Sequence, residues 1–433
     1  ALSTFFVAWI GLAIVERLAL PLKEVTLRIG IDARFLTHPQ PGGFKTYTTN
    51  LLSALNQVDK DDEFIVYLDR HPTEDIVLPN GSNFTYRVVD GTRRIVGMPY
   101  REQVGLRLQM VRDKLDVMHF LCNTATVGLI RKYVITLHDT IQLTTTSAQF
   151  SSNSDLKHWL INGYSRQSIL WAVRRASQVI TVSEYVRSEI SRTLSIPIER
   201  IIVTQQAPNP IFRQADERQK QLWRQDLEQR FGIHERFILG VGYEPRKNIP
   251  LLIDAFARVV ANRVDLSLVL VVAEEFQRAT YQHLVTELGL SDRVVVLGAI
   301  ALHDLVRLYN LADLFVFPSE HEGYGLPPLE AMACGLPTIV MNMTSLPEVV
   351  LDGALLVDGR DAAIWANAIQ QVTADENLRA KLREQGLRRA ALLSWSRCAE
   401  LTVDVYHAVV AHSPAKAAVQ RKICRTDTFQ EGQ

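Results

Sequence analysis

A chain of 433 residues with 47% hydrophobic and 22% charged side chains has the make-up of a globular protein, and its length suits two or three domains better than one core. Its 47 basic residues balance 47 acidic ones, so no polyanion-binding surface is announced and nucleic acid is excluded as an expected partner. Cys122, Cys334, Cys398 and Cys424 are scattered, with no C-x-x-C pair and no His-Cys cluster at metal spacing; they read as reduced thiols of a cytoplasmic protein.

The opening ALSTFFVAWIGLAIVERLALPL is apolar from Phe5 to Val15 and is interrupted by Glu16 and Arg17. A bilayer span needs about 20 apolar residues, and neither a basic segment before the run nor an A-x-A site marks a secretory leader. Residues 1–24 are therefore expected to be an added helix, a mis-set start of the reading frame, or an anchor lying peripherally at the inner face of a membrane.

From Thr26 onward, short β-branched runs alternate with helical patterns. Strands are expected over 26–32, 63–68, 84–89, 116–121, 133–139 and 178–184, and helices over 44–58, 100–115 and 155–175. This predicts an α/β unit with a mostly parallel sheet over residues 25–205. Within it, the helix 100–115 carries Val104, Leu108, Val111 and Leu115 on one face, for which core packing is the expectation and membrane contact the alternative.

The segment 203–221, VTQQAPNPIFRQADERQKQ, reads as a linker entering a surface helix. The alternation then restarts, with strands expected over 237–242, 266–273, 293–299, 313–317 and 337–341, so a second doubly wound unit occupies 206–394. A helix over 395–412 closes the fold, and the polar residues 413–433 are expected to form a flexible tail. Ligands of such sheets bind at the carboxyl ends of the strands and in the cleft between domains.

Four strand ends carry chemistry. In PSEHEGYGLPPLEAMACGLP (318–337), the prolines suit the first turn of a helix expected to begin near Pro327 or Pro328 and to stop at Cys334-Gly335. Glu322 then precedes the helix and Glu330 sits in its first turn, where it complements the dipole or accepts hydrogen bonds from hydroxyls. In GYEPRKN (242–248), Arg246 and Lys247 follow an apolar strand and suit phosphate oxygens, although a solvated loop pair reads equally well from this segment alone. In PGGFKTY (41–47), Gly42 and Gly43 open a helix and let backbone approach a ligand closely; an ordinary turn is the plain alternative. In TLHDT (136–140), His138 ends a strand and can hydrogen-bond a polyol hydroxyl.

These residues together resemble glycosyltransferase family 4, the retaining sugar transferases with the two-domain GT-B fold, over about Arg28 to Tyr406. SEHEGYGLPPLEAMACGLP is similar to the family's E-x7-E region and EPRKN to its Arg/Lys loop. IDARFLTHPQPGG, TLHD, TVSE, SLPEVV and SWSRCAELTVDVY fit the surrounding pattern. The resemblance implies two Rossmann-like domains facing across a cleft, with the last helix closing back on the first. It further implies that Arg246 and Lys247 bind the diphosphate of a nucleotide sugar, that Glu330 holds ribose hydroxyls and that Glu322 faces the donor sugar. The amides of Gly323, Tyr324 and Gly325 would line sugar and phosphate, with Leu326 and Gly42 beside them. Gly43 would approach the phosphate from the opposite domain and His138 would contact the sugar near the acceptor. EPRKN looks like the mannosyltransferase variant, which favours GDP-mannose over a UDP-sugar, with a glycan or lipid-linked acceptor in surface polysaccharide assembly.

The chain departs from the family pattern where Ala273-Glu274-Glu275 replaces a glycine and where Tyr243 precedes EPRKN, both on the donor side. No metal is expected to be required: fixed cations and helix amides suffice for a departing diphosphate, and Asp59-Lys60-Asp61 reads as a solvated turn. No G-x-G-x-x-G opens the first helix, which removes a dinucleotide oxidoreductase. A binding subunit without turnover is the remaining rival, and the joint presence of Glu322, Glu330, Arg246, Lys247 and His138 speaks against it.

Overall fold

The computed structural model describes residues 26–39, 42–74, 76–92, 97–128, 132–144, 156–233, 236–260 and 265–411. The extension over 1–24 and the tail over 413–433 lie outside these residues.

The first sheet contains β1 (Arg28–Asp32), β2 (Glu63–Leu68), β3 (Phe84–Val88), β4 (Val117–Phe120), β5 (Tyr133–Thr136), β6 (Gln178–Thr181) and β7 (Ile201–Val203), in the order β3-β2-β1-β4-β5-β6-β7. Every neighbouring pair is parallel. Strands β4, β5 and β6 are buried along their whole length, which explains why they read as continuous apolar runs and not as alternating ones. Around this sheet lie α1 (Gly43–Val58), a π turn (Arg101–Gly105) leading into α2 (Leu106–Arg112), α3 (Leu156–Arg175) and α4 (Glu184–Leu194).

The second sheet contains β8 (Arg236–Val241), β9 (Leu266–Val271), β10 (Val294–Leu297), β11 (Leu314–Phe317), β12 (Thr338–Met341) and β13 (Leu355–Val357), in the order β10-β9-β8-β11-β12-β13 and again all parallel. Its helices are α5 (Glu217–Phe231), α6 (Ile249–Val260), α7 (Glu275–Glu287), α8 (Leu302–Leu311), α9 (Leu326–Ala333), α10 (Ala362–Ala374) and α11 (Glu376–Ala391). Strand order reverses between β1 and β4 in one domain and between β8 and β11 in the other, so each sheet opens a crevice at that point.

The last helix, α12 (Trp395–Val410), belongs to the first domain by packing. Its Trp395, Cys398, Leu401, Val405 and Val409 join the core formed by β1, β2 and α1. Tyr406 Oη lies 2.6 Å from His119 Nδ1, and His407 Nε2 lies 2.8 Å from Asp62 Oδ2. The chain thus crosses between domains twice, once before α5 and once between α11 and α12. Cys122, Cys334 and Cys398 are buried free thiols.

Two sequence expectations are corrected. Helix α9 starts at Leu326, because Gly325 (φ 109°) makes the left-handed turn that caps it; Glu330 is its fifth residue and no acidic side chain occupies its first turn. Core packing of the 104/108/111 face also fails: Val104, Leu108 and Val111 are 41%, 54% and 60% exposed, and of the four apolar residues only Leu115 is buried. The π turn rotates the segment so that Arg101, Glu102, Leu106 and Met110 face inward. Buried Arg101 is held by Asp32 Oδ1 at 2.8 Å and by the Val89 carbonyl at 2.9 Å.

Candidate active site

The loops after β8 and β11 meet at the crevice of the second domain. After β8, Gly242 adopts φ 146°, and a Cβ there would meet Lys247 Cγ at 2.7 Å; only glycine lets the lysine fold back over the strand end. A single 3₁₀ turn, Pro245–Lys247, ends at Asn248 in the left-handed region. Asn248 Nδ2 donates to Glu320 Oε1 at 3.0 Å, and Glu320 N donates to Arg246 O at 2.9 Å, tying the two loops together.

Glu322 is the focus of that junction. Its Oε1 accepts from Lys247 Nζ at 2.6 Å, lies 2.8 Å from Arg246 Nη1 and accepts from Ser319 Oγ at 2.5 Å. Burial would raise its carboxyl, yet the two cations win and pull it down to about 2. Arg246 is shared further with Glu244 at 2.9 Å and the His321 carbonyl at 2.8 Å, and Lys247 Nζ lies 4.7 Å from the centre of the Phe317 ring.

Glu330 sits one turn into α9. It is half-buried, with Tyr309 Oη 3.4 Å away, and partial loss of water pushes its carboxyl up to about 7 against smaller opposing effects from Tyr309 and Lys247. Two glutamates eight positions apart thus take opposite protonation behaviour, one locked as an anion and one poised near neutrality.

The first domain supplies the facing wall. His138 Nε2 lies 2.9 Å from the Leu121 carbonyl, which can only accept, so Nε2 carries the proton and Nδ1 is an acceptor, with Gln206 Nε2 3.5 Å away. Burial lowers this imidazole to about 4, so it is neutral at physiological pH. Phe44 and Tyr47 hold the ring edge-on, with centroids 5.1 and 4.6 Å away. Helix α1 begins at Gly42 and Gly43; among the described residues no side chain caps its first-turn amides and a Cβ built on either glycine meets no neighbouring atom within 4 Å. Asp139 was not among the residues singled out by sequence; burial raises its carboxyl, with Arg246 among the groups acting against that.

The domains touch through the glycine loop. A Cβ on Gly323 would meet the His138 carbonyl oxygen at 2.1 Å, so the approach requires glycine. Ser183 Oγ donates to the Gly323 carbonyl at 2.8 Å, and Tyr324 Oη donates to the Gln206 carbonyl at 2.6 Å. The Tyr324 side chain is therefore an anchor between the glycine loop and the segment after β7.

A cavity of about 260 Å³ is lined by Gly42, Gly43, His138, Arg246, Glu322, Gly323, Tyr324, Gly325 and Leu326, together with Phe35, Phe44, Asp139, Gln206 and Tyr243. All the singled-out residues line it except Lys247, which is buried and paired with Glu322, and Glu330, which is half-buried. A larger cavity of about 640 Å³ lies at the double crossing, between α1, the linker and the start of α12. It has no charged lining residue, so it offers nothing to neutralise a phosphate. Sequence reasoning missed Ser183 and Gln206 because their partners, Gly323 and Tyr324, lie more than a hundred positions away.

Known proteins bear on this geometry. Residues 41–207 match the family described as Glycosyltransferase Family 4, and residues 227–389 match Glycosyl transferases group 1. The serotype-specific mannosyltransferase WbdA of Escherichia coli is 31% identical over 261 residues, 59% of this chain and 32% of that protein. The O-antigen chain mannosyltransferase RfbU of Salmonella typhimurium is 27% identical over 339 residues, 76% and 87% of the two chains. The aligned part thus spans about a third of the length of WbdA. Sucrose-phosphate synthase of Thermosynechococcus elongatus superposes with a TM-score of 0.69 at 21% identity, covering 89% of this chain and all of that one, and shares the GT-B architecture. With both halves matched in order and the paired crevices facing each other, the chain belongs to the family 4 glycosyltransferases, and within them it is mannosyltransferase-like.

Proposed function

We propose that this protein is a retaining, metal-independent hexosyltransferase that moves mannose from GDP-mannose to a glycan or lipid-linked acceptor in surface polysaccharide assembly. The observation that carries this reading is Glu322, buried and paired with Lys247 and half-buried Arg246, set opposite neutral His138 and the glycine start of α1. In transfer, the bond from C1 of the sugar to the β-phosphate oxygen breaks and its electron pair leaves with the nucleoside diphosphate. The acceptor hydroxyl oxygen bonds to C1, and its proton is released.

Two fixed cations and the amides of α1 stabilise the departing diphosphate where negative charge develops. Glu322, already paired with both cations, offers a permanent negative charge beside a sugar that becomes cationic. His138 Nδ1 accepts from a sugar hydroxyl, a task for which a neutral ring is required. Glu330 is placed to accept from ribose hydroxyls, which add donors to its half-buried carboxyl beside Tyr309 Oη. The mannosyltransferases WbdA and RfbU favour mannose as the hexose.

The acceptor side favours a bilayer surface. Tyr100, Val104, Leu108 and Val111 present one exposed apolar stripe, 41–60% accessible, flanked by exposed Arg107, Arg112 and Lys114. That pattern suits an anionic membrane, with apolar side chains in the headgroup boundary and cations at the phosphates. No helix among the described residues is long and apolar enough to cross a membrane. Replacing Leu108 and Val111 by Asp is expected to abolish flotation with phosphatidylglycerol vesicles while leaving nucleotide binding intact.

Calorimetry with GDP, UDP, ADP and their hexose conjugates, in magnesium and in EDTA, tests the donor reading. Binding of the guanine series in EDTA supports it. Binding of the uridine series replaces the base but keeps the site, and binding of none overturns it.

A further inference from the structure

The motif SLPEVV (345–350) has no part in the site described above, yet it joins both of its halves. Ser345 Oγ lies 2.9 Å from the Glu322 carbonyl and 3.0 Å from the Tyr324 carbonyl, which fastens this turn to the glycine loop. Arg389 Nε donates to the Val349 carbonyl at 2.8 Å and fixes the turn to the second domain from below. Three residues after Ser345, Glu348 reaches out of that domain. Its Oε1 accepts from Glu184 N at 2.7 Å and its Oε2 from Tyr185 N at 3.0 Å, at the first turn of α4 in the first domain.

Helix α4 has its own N-cap, Ser183, whose hydroxyl takes Val186 N at 3.2 Å. That leaves the amides of Glu184 and Tyr185 for another acceptor. Glu348 supplies it with a charged group at the positive end of the helix dipole, where a carboxylate is favoured. The same corner holds the Ser183 to Gly323 bond at 2.8 Å and an edge-on contact of Tyr185 with His321, centroids 6.4 Å apart. Each of these contacts exists only while the two domains lie against each other.

We infer that Glu348 is an interdomain latch: a positioning residue that holds the cleft closed by capping α4 across the domain boundary and, through Ser345, links that closure to the loop bearing Glu322. The assignment rests on the transferase reading only for its kinetic consequence; the closure itself is tested without substrate. The latch acts on the equilibrium between open and closed cleft. Removing it lowers the closed fraction, and the donor must then spend more of its binding energy in bringing the domains together.

The experiment is small-angle X-ray scattering of unliganded wild type, E348A and E348Q at matched concentration, with circular dichroism and thermal melting on the same samples. E348A is expected to show a larger radius of gyration at an unchanged helix signal. E348Q, which keeps one acceptor and loses the charge, is expected to lie between it and wild type. Donor KM for E348A is expected to rise about tenfold, with kcat changed less because bound donor makes cross-domain contacts of its own. Scattering identical to wild type for both variants overturns the latch, whatever the protein's substrate. If E348A does not fold, E348Q decides the matter by the same comparison. Failure of every nucleotide sugar to bind wild type, with E348A open in solution, refutes the transferase reading and leaves the latch standing.

Discussion

Replacing Glu322 by Gln separates its two roles. The carboxyl is held at about 2 against an ordinary 4.5, so the triad contributes at most ~3 kcal/mol to folding. Because the folded value is depressed, that contribution is present above pH about 4.5 and is lost as pH falls through about 2. The variant leaves Lys247 and Arg246 as two close cations with no central anion, the situation in which breaking a buried pair is most costly. At pH 7 we expect melting to drop by roughly 6–12 °C. The same change frees both cations for a diphosphate, so GDP is expected to bind about tenfold tighter and to raise the variant's melting point more than that of wild type. Turnover is expected to fall, because the negative charge beside the developing sugar cation is gone. Differential scanning fluorimetry with and without GDP, paired with single-turnover kinetics, reads all three. A melting point within 2 °C of wild type, or GDP affinity falling in step with turnover, refutes the reasoning.

Other sites give sharper readouts. Glu330 is raised to about 7, so its stability contribution is present below pH about 4.5 and is lost as pH rises through about 7; E330Q should flatten the pH dependence of melting between those limits while weakening nucleotide-sugar binding at least tenfold by calorimetry. K247A, which removes one of the two cations, should lower donor affinity or turnover at least tenfold without loss of circular dichroism signal. G323A places a methyl on the His138 carbonyl and should cut kcat/KM at least tenfold with both domain cores intact, as judged by cooperative unfolding. Deleting α12 removes Trp395, Val405 and Tyr406 from the first domain's core and should abolish soluble expression, although the cut lies after the second domain.

Much of this was legible in sequence where a pattern was long or chemically loud. Runs such as EFIVYL became β2 over the same residues, and the glycine and proline spacing of 318–337 placed Glu322 before a helix. Strands β7 (Ile201–Val203) and β13 (Leu355–Val357) went unseen because three residues at a sheet edge carry no period. The exposed 104/108/111 face was misjudged because a π turn adds a residue to the repeat, and no local signal announces one. Glu348 and Ser183 acquire meaning only from a partner in the other domain, more than a hundred positions away, and Gln206 from His138 and Tyr324, 68 and 118 positions away. Sequence separation of that size leaves no spacing to read.

The double crossing between domains has a mechanical consequence. One tether would let the two halves tumble about a point, whereas two strands of chain, side by side, define a line. The first domain owns α12, anchored by Tyr406 on His119 and His407 on Asp62, so the second connection is fixed where it enters that domain. Any opening of the cleft must keep both connections together, which favours rotation about the line they define over free tumbling. The 640 Å³ cavity lies beside those connections, lined by residues of both.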